Sequence, residues 1–178
     1  MPPVVNVQSL SLFPSLHKGN GFVTLRQMNM PVYKLLDVPP VWLAAFAALV
    51  WALGGVFPAV GPGWLRPIGN ALVIGGVSVI LLAALQFRQH RTSIIPHQEA
   101  NVLLTSGLYA WSRNPIYLAD AVILTGLCLR WGVLPGLLLV LIFGWVIRKR
   151  FILPEEKRLA ARFGATFDAY CTKTRRWL

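Results

Sequence analysis

Acidic residues are scarce in this chain. Six Asp and Glu stand against 17 Lys and Arg among 178 residues, a formal net charge of +11. Charge of either sign is thin, at 13%, where a soluble domain carries roughly 25%. With 56% hydrophobic residues, the composition excludes an ordinary soluble domain. The basic excess therefore points to anionic lipid headgroups. No basic stripe carries interleaved stacking aromatics, so no nucleic-acid partner is expected. Cysteine is nearly absent. Cys128 lies in an apolar run and Cys171 near the C-terminus, which excludes a disulfide framework or a CxxC pair, and both read as packing residues. His90 and His97 fit no common zinc spacing and no cysteine joins them, so no metal site is expected. The G-x-G triplets at Gly19 and Gly61 do not sit at the strand-to-helix turn of a βαβ unit, which argues against a Rossmann domain.

What the chain has is long apolar runs. No charge occurs from Val38 to Leu65, 28 residues, or from Pro67 to Phe87, 21 residues. Each exceeds the ~20 residues that cross ~30 Å of hydrocarbon. A third apolar region, Pro115 to Leu129, holds one acid, Asp120. A fourth runs for 17 residues from Trp131 to Ile147. Arg130, Gly132, Pro135 and Gly136 supply turn residues between the last two, so the pattern predicts a tight helical hairpin. One continuous helix from Pro115 to Ile147 is the competing reading. Backbone groups in lipid must bond within their own segment, which makes all four spans helical. The fold class expected is all-α: an integral membrane protein with about four transmembrane helices, near 40–60, 67–87, 115–129 and 132–149. A C-terminal amphipathic cytosolic helix is expected near 154–171.

Lys and Arg set the expected direction. With both termini on the cytoplasmic side, fifteen basic residues lie inside and only Arg66 and Arg130 outside, a strong positive-inside bias. Trp42, Trp64, Trp111 and Trp131 fall near predicted span ends, where amphipathic rings prefer to sit. Residues 1–37 read as a disordered or interfacial N-terminal segment and 38–178 as the membrane domain. The first residues make a poor signal peptide, and Met28 or Met30 is an alternative translation start.

Two segments fall on one side of the membrane in this topology. The first is the loop from Arg88 to Asn114, with Gly107, Tyr109, Trp111 and Arg113. Gly107 permits a turn with positive φ. Asn114-Pro115 reads as N-cap and first helical position. Tyr117 and Asp120 then share a helix face, and Asp120 is costly in a membrane unless paired or hydrated. The second is the tail RKRFILPEEKRLAARFGATFDAYCTKTRRWL from Arg148. Pro154, Glu155 and Glu156 read as a helix start with acids in its first turn. Leu159, Phe163, Phe167 and Tyr170 form one apolar stripe, as an interfacial helix requires.

LLTSGLYAWSRNPIYLA followed, after one apolar hairpin, by PEEKRLAARFGATFDAYCTKTRRW resembles the isoprenylcysteine carboxyl methyltransferase family, which belongs with the membrane phospholipid methyltransferases. The resemblance covers about half the chain and is specific for the superfamily rather than for a substrate. It implies an enzyme using S-adenosylmethionine without a Rossmann domain. By this resemblance the cofactor contacts fall on Asn101, Val102, Leu103 and Leu104, on Tyr109, on Asn114, Pro115 and Tyr117, and on Glu155. Gly107 is grouped with them for its turn. The family's substrate-carboxylate arginine matches Arg148 or Arg150, and these two with Tyr117 are the candidate catalytic residues. Many relatives carry His at the place of Asn114, and Asn donates a hydrogen bond without titrating. The expected partners are the lipid bilayer and a lipophilic or small methyl acceptor bearing a carboxylate, amine or thiol. Two other functions compete: a nicotinamide-dependent membrane reductase, since sterol reductases share an Arg-His/Asn-Pro-x-Tyr stretch, and a non-enzymatic membrane scaffold.

Overall fold

A computed structural model describes residues 38–89 and 103–178. The expectations on the N-terminal segment, Met28 and Met30, His90 and His97, and Asn101 and Val102 lie outside the described residues. Those described are helical without a strand. The order is α1 (Pro39–Val56), α2 (Leu65–Gln89), α3 (Leu108–Trp111), α4 (Pro115–Trp131), a 3-10 turn (Leu134–Gly136), α5 (Leu137–Ile147), a π turn (Arg148–Ile152), α6 (Leu153–Phe163) and α7 (Ala165–Lys173).

The helix ends follow from local chemistry. Pro39 and Pro40 open α1, where missing amide donors cost nothing. Pro58 disfavours helical backbone at Phe57, which is extended at φ −101° and ψ 134° and ends α1. The first apolar helix therefore stops at Val56, short of the expected residue 60. Gly132 takes the left-handed conformation, φ 70°, and returns its N–H to the carbonyls of Cys128 and Leu129. That cap stops α4 and the 3-10 turn at Pro135 redirects the chain into α5. The expected hairpin is thus present, and a single helix from Pro115 to Ile147 is excluded.

Small residues let α2 and α4 touch. A Cβ on Gly126 would lie 2.7 Å from the Gly69 carbonyl oxygen, and one on Gly69 would lie 2.6 Å from the Gly126 oxygen. Close backbone approach of this kind replaces the hydrophobic drive that helices lack in lipid. α1 covers α4 and α5 elsewhere, with Phe46 edge-on to Phe143 at 5.3 Å. Val50, Leu124, Cys128, Val133 and Ile147 fill the core behind them. α1 and α2 are each long and apolar enough to cross a bilayer, and only 17% of each hydrophobic window is buried within the chain. A soluble protein's apolar core helix would be mostly buried. Here Trp51, Ile74, Leu81, Leu138 and Leu141 are exposed, an apolar surface that calls for cover.

The tail departs from expectation twice. Pro154 does not start a helix, because α5, the π turn and α6 run on without a break. The Leu153 N–H bonds the Arg148 carbonyl five residues back. Pro154 lacks a donor and its ring would crowd the carbonyl of Arg150, so one wider turn relieves the clash without ending the helix. The expected helix over 154–171 is also two helices, broken at Gly164. Of the apolar stripe, Phe167 and Tyr170 are buried on α7, while Leu159 and Phe163 on α6 are only half-buried.

Candidate functional site

The loop before α4 is pinned to α2. Gly107 has φ 60° and ψ −127°, a combination that side chains rarely tolerate. The next amide, Leu108 N–H, donates to Gln86 Oε1 at 3.3 Å. Tyr109 then packs edge-on against Phe87, centroids 5.6 Å apart. Its backbone carbonyl accepts a 2.6 Å hydrogen bond from the Tyr170 hydroxyl on α7. Leu104 is buried beneath this loop and Leu103 half-buried.

One turn into α4, the buried Tyr117 donates its hydroxyl to Glu155 Oε2 at 3.3 Å. Its ring lies 6.3 Å from Phe151, so α4, the π turn and α6 meet there. Glu155 is exposed as a residue, while its carboxyl end, turned toward Tyr117, is closely surrounded by protein. Burial raises its carboxyl above the ordinary 4.5, against the lowering effects of the Tyr117 bond and of Arg158. Burial first, then the Glu155 charge and Tyr170, push the Tyr109 phenol well above its ordinary value. Tyr109, Tyr117 and Glu155, separated in sequence by a helical hairpin, thus share one electrostatic neighbourhood. Asp120, one turn further along α4, is 4% exposed.

Asn114 and Pro115 are both buried at the start of α4. Asn114 holds the N-cap position but makes no side-chain cap bond, contrary to expectation. Its carboxamide donates instead to the Arg176 carbonyl at 2.9 Å, because the C-terminal segment offers an acceptor there. A charge cluster that the motif reading missed lies behind this contact. Glu156 takes a two-pronged bond from Arg176, 2.9 Å from Nε and 2.7 Å from Nη2. It also lies 3.3 Å from Arg113. Two acids side by side in a chain with so few, facing a basic tail, were the available signal.

The remaining candidates sit at the edge. Arg148 and Arg150 are exposed on the π turn, with the Arg150 guanidinium 5.3 Å above the Trp42 ring of α1. A groove of about 390 Å³ beside the loop is lined by Leu82, Leu85, Gln86, Gly107, Leu108 and Trp111. Neither Tyr117 nor Glu155 lines it. Chemically, a crevice carboxylate with phenol and phenyl rings around it suits a cationic ligand that is partly apolar.

Comparison with known proteins gives a family and a fold. A family model of phospholipid methyltransferases matches residues 65–166, more than half of the chain and inclusive of Tyr109, Tyr117 and Glu155. Among solved structures, that of a eukaryotic intramembrane Ras methyltransferase, isoprenylcysteine carboxyl methyltransferase, aligns with a TM-score of 0.62 at 22% identity. The alignment covers 84% of this chain and 53% of that one, so this chain spans about half the length of that protein. Likeness at that level of identity is likeness of fold. No curated protein sequence matches the chain.

Proposed function

The chain belongs to the phospholipid methyltransferase family, and on that premise we propose that it is an S-adenosylmethionine-dependent integral membrane methyltransferase acting on a lipophilic or small acceptor. The observation that carries the reading is the contact of Tyr117 with Glu155 across the hairpin. The methyltransferase unit takes in residues 38–178. It crosses the bilayer four times, with both termini and the Glu155 crevice on the cytoplasmic side, as the fifteen-to-two distribution of Lys and Arg favours.

The residues present fit the cofactor. When bound, S-adenosylmethionine supplies a methyl group already activated by its sulfonium. Glu155 would hold the ammonium of its amino-acid end by charge-assisted hydrogen bonds. Tyr117 orients that carboxylate through its hydroxyl. The rings of Tyr109 and Tyr117 offer a positive centre cation–π attraction of about 0.5–2 kcal/mol. Leu103, Leu104 and the backbone from Gly107 to Pro115 form the polar loop's side of the crevice, with Asn101 and Val102 preceding it in sequence. What the protein contributes is placement and exclusion of water, and an acceptor that is already nucleophilic needs no strong base.

On the acceptor side stand Arg148 and Arg150. Either would pair with an acidic acceptor, and the Trp42 ring already steadies Arg150. The acceptor group itself, carboxylate, amine or thiol, is open to direct screening of lipid extracts with radiolabelled cofactor. A membrane reductase is not favoured, since the family match is to methyltransferases.

Isothermal titration of the purified protein with S-adenosylmethionine tests the reading. Saturable binding is expected in detergent and in lipid, with Glu155→Ala much weaker at unchanged fold. Absence of binding in both media overturns the assignment.

A further inference from the structure

The C-terminal segment after α7 returns across the loop before α4 and is tied to it residue by residue. The Thr174 hydroxyl donates to the Ala110 carbonyl at 3.3 Å. The Arg113 amide donates to the Arg175 carbonyl at 3.0 Å. The Arg176 carbonyl accepts from Asn114 Nδ2 at 2.9 Å and from Ser112 Oγ at 3.5 Å. Thr174, Ser112 and Asn114 are buried by these contacts. The segment is therefore a strap, and the loop beneath it carries Tyr109 and Asn114.

Glu156 fastens the strap at both of its edges. One carboxylate binds Arg176 of the strap through two hydrogen bonds and Arg113 of the loop at 3.3 Å. The hydrogen bonds that Arg176 donates to Glu156 raise Arg176 above its ordinary value. Glu156 side-chain exposure is 15%, that of Arg113 15% and that of Arg176 30%, so the cluster is shielded enough to matter more than a surface pair. Arg113 Nη1 also donates to Cys171 Sγ at 2.7 Å. Glu156 is the immediate neighbour of Glu155, so whatever displaces one moves the other.

We propose that Glu156 is a positioning residue: by clamping Arg113 to Arg176 it holds the strap over the Tyr109–Asn114 loop, so that strap closure and cofactor binding are thermodynamically coupled. The inference rests on the cofactor-site reading given above. Coupling is reciprocal. A bound cofactor that orders the loop must keep the strap shut, and a loosened strap must weaken the cofactor's hold.

Cys171 reports the strap directly, because the protein's other thiol, Cys128, is fully buried. The experiment compares wild type, Glu156→Gln and Arg176→Met as full-length, monodisperse proteins. It measures the maleimide labelling rate of Cys171 with and without S-adenosylmethionine, and the cofactor dissociation constant by titration. Both variants are expected to label faster and to bind the cofactor about tenfold more weakly, a mid-range coupling. Cofactor should slow labelling in the wild type and lose most of that protection in the variants. Arg176→Met leaves both acids in place and serves if Glu156→Gln fails to fold. Faster labelling with an unchanged dissociation constant overturns the proposal and leaves Glu156 a structural clamp. So does wild-type labelling that ignores a cofactor shown to bind. A wild type that binds no cofactor at all sinks the methyltransferase reading itself, and is told apart from the other two results by the titration alone.

Discussion

The Tyr117 hydroxyl reaches Glu155 Oε2 at 3.3 Å, joining α4 to α6 across 38 residues of chain. Glu155 sits where the helix leaves the π turn, so the phenol fixes the direction of a carboxylate that the backbone alone would leave free to swing. Glu155→Ala removes the charge and should lower affinity for S-adenosylmethionine by about 2–3 kcal/mol, the upper part of the range for hydrogen bonds to a charged group. Tyr117→Phe removes only the orienting bond and should cost about 1.5 kcal/mol, roughly tenfold. Titration calorimetry separates the two, and equal losses would mean that orientation and charge are not distinct contributions.

The pH dependence of binding carries a definite sign. Burial raises the Glu155 carboxyl above 4.5 in the folded protein, and only the ionised form attracts an ammonium. Cofactor affinity should therefore fall as pH drops through a midpoint above 4.5, at higher pH than an exposed glutamate would give. Stability runs the other way for this group. Ionising it costs folding free energy, a cost absent below the ordinary value and complete once pH has risen past the raised one. Glu155→Gln should flatten both profiles, read by calorimetry and by thermal melts across pH.

The contact between Gly69 and Gly126 leaves no room for side chains. A Cβ at Gly126 would meet both the Gly69 oxygen at 2.7 Å and Val73 Cγ2 at 2.9 Å. Gly126→Ala should destabilise by about 1–3 kcal/mol, the usual cost of overpacking. Gly75→Ala on the same α2 is a matched control, because nothing lies within 4 Å of its added Cβ. Thermal unfolding in detergent should shift for the first and hardly at all for the second.

Membrane sidedness is testable with the protein's own thiol chemistry. Gly63 lies in the α1–α2 connection with open space around it, near Arg66 and on the proposed outer side. An impermeant maleimide applied to sealed, right-side-out vesicles should label Gly63→Cys and spare Cys171 until the vesicles are opened. Labelling of both before opening, or of Cys171 alone, contradicts the orientation.

How much of this was legible beforehand depends on the range of the forces involved. Apolar runs gave α1, α2 and the α4–α5 hairpin, because hydropathy and the Gly132 and Pro135 turn chemistry act within a few residues. The pairing of Tyr117 with Glu155 was accessible only through family resemblance, since no local pattern links segments on either side of a hairpin. The π turn and the break at Gly164 were missed for a different reason. Leu159, Phe163, Phe167 and Tyr170 keep helical spacing across the break, and Pro154 with two acids imitates a helix start. Asn114 was placed at the right position with the wrong bond: the acceptor it uses, the Arg176 carbonyl, arrives from 62 residues away.

The unbroken hydrogen-bonded run from Leu137 to Phe163 makes α6 an extension of a helix packed by one face against α1 and α4. Its two carboxylates hang from that beam like a bracket from a post. Any tilting of the post swings the bracket relative to Tyr109, whose ring packs on Phe87 of a different helix. The spacing between Glu155 and the Tyr109 loop is thus set by how α5 seats against α1 and α4.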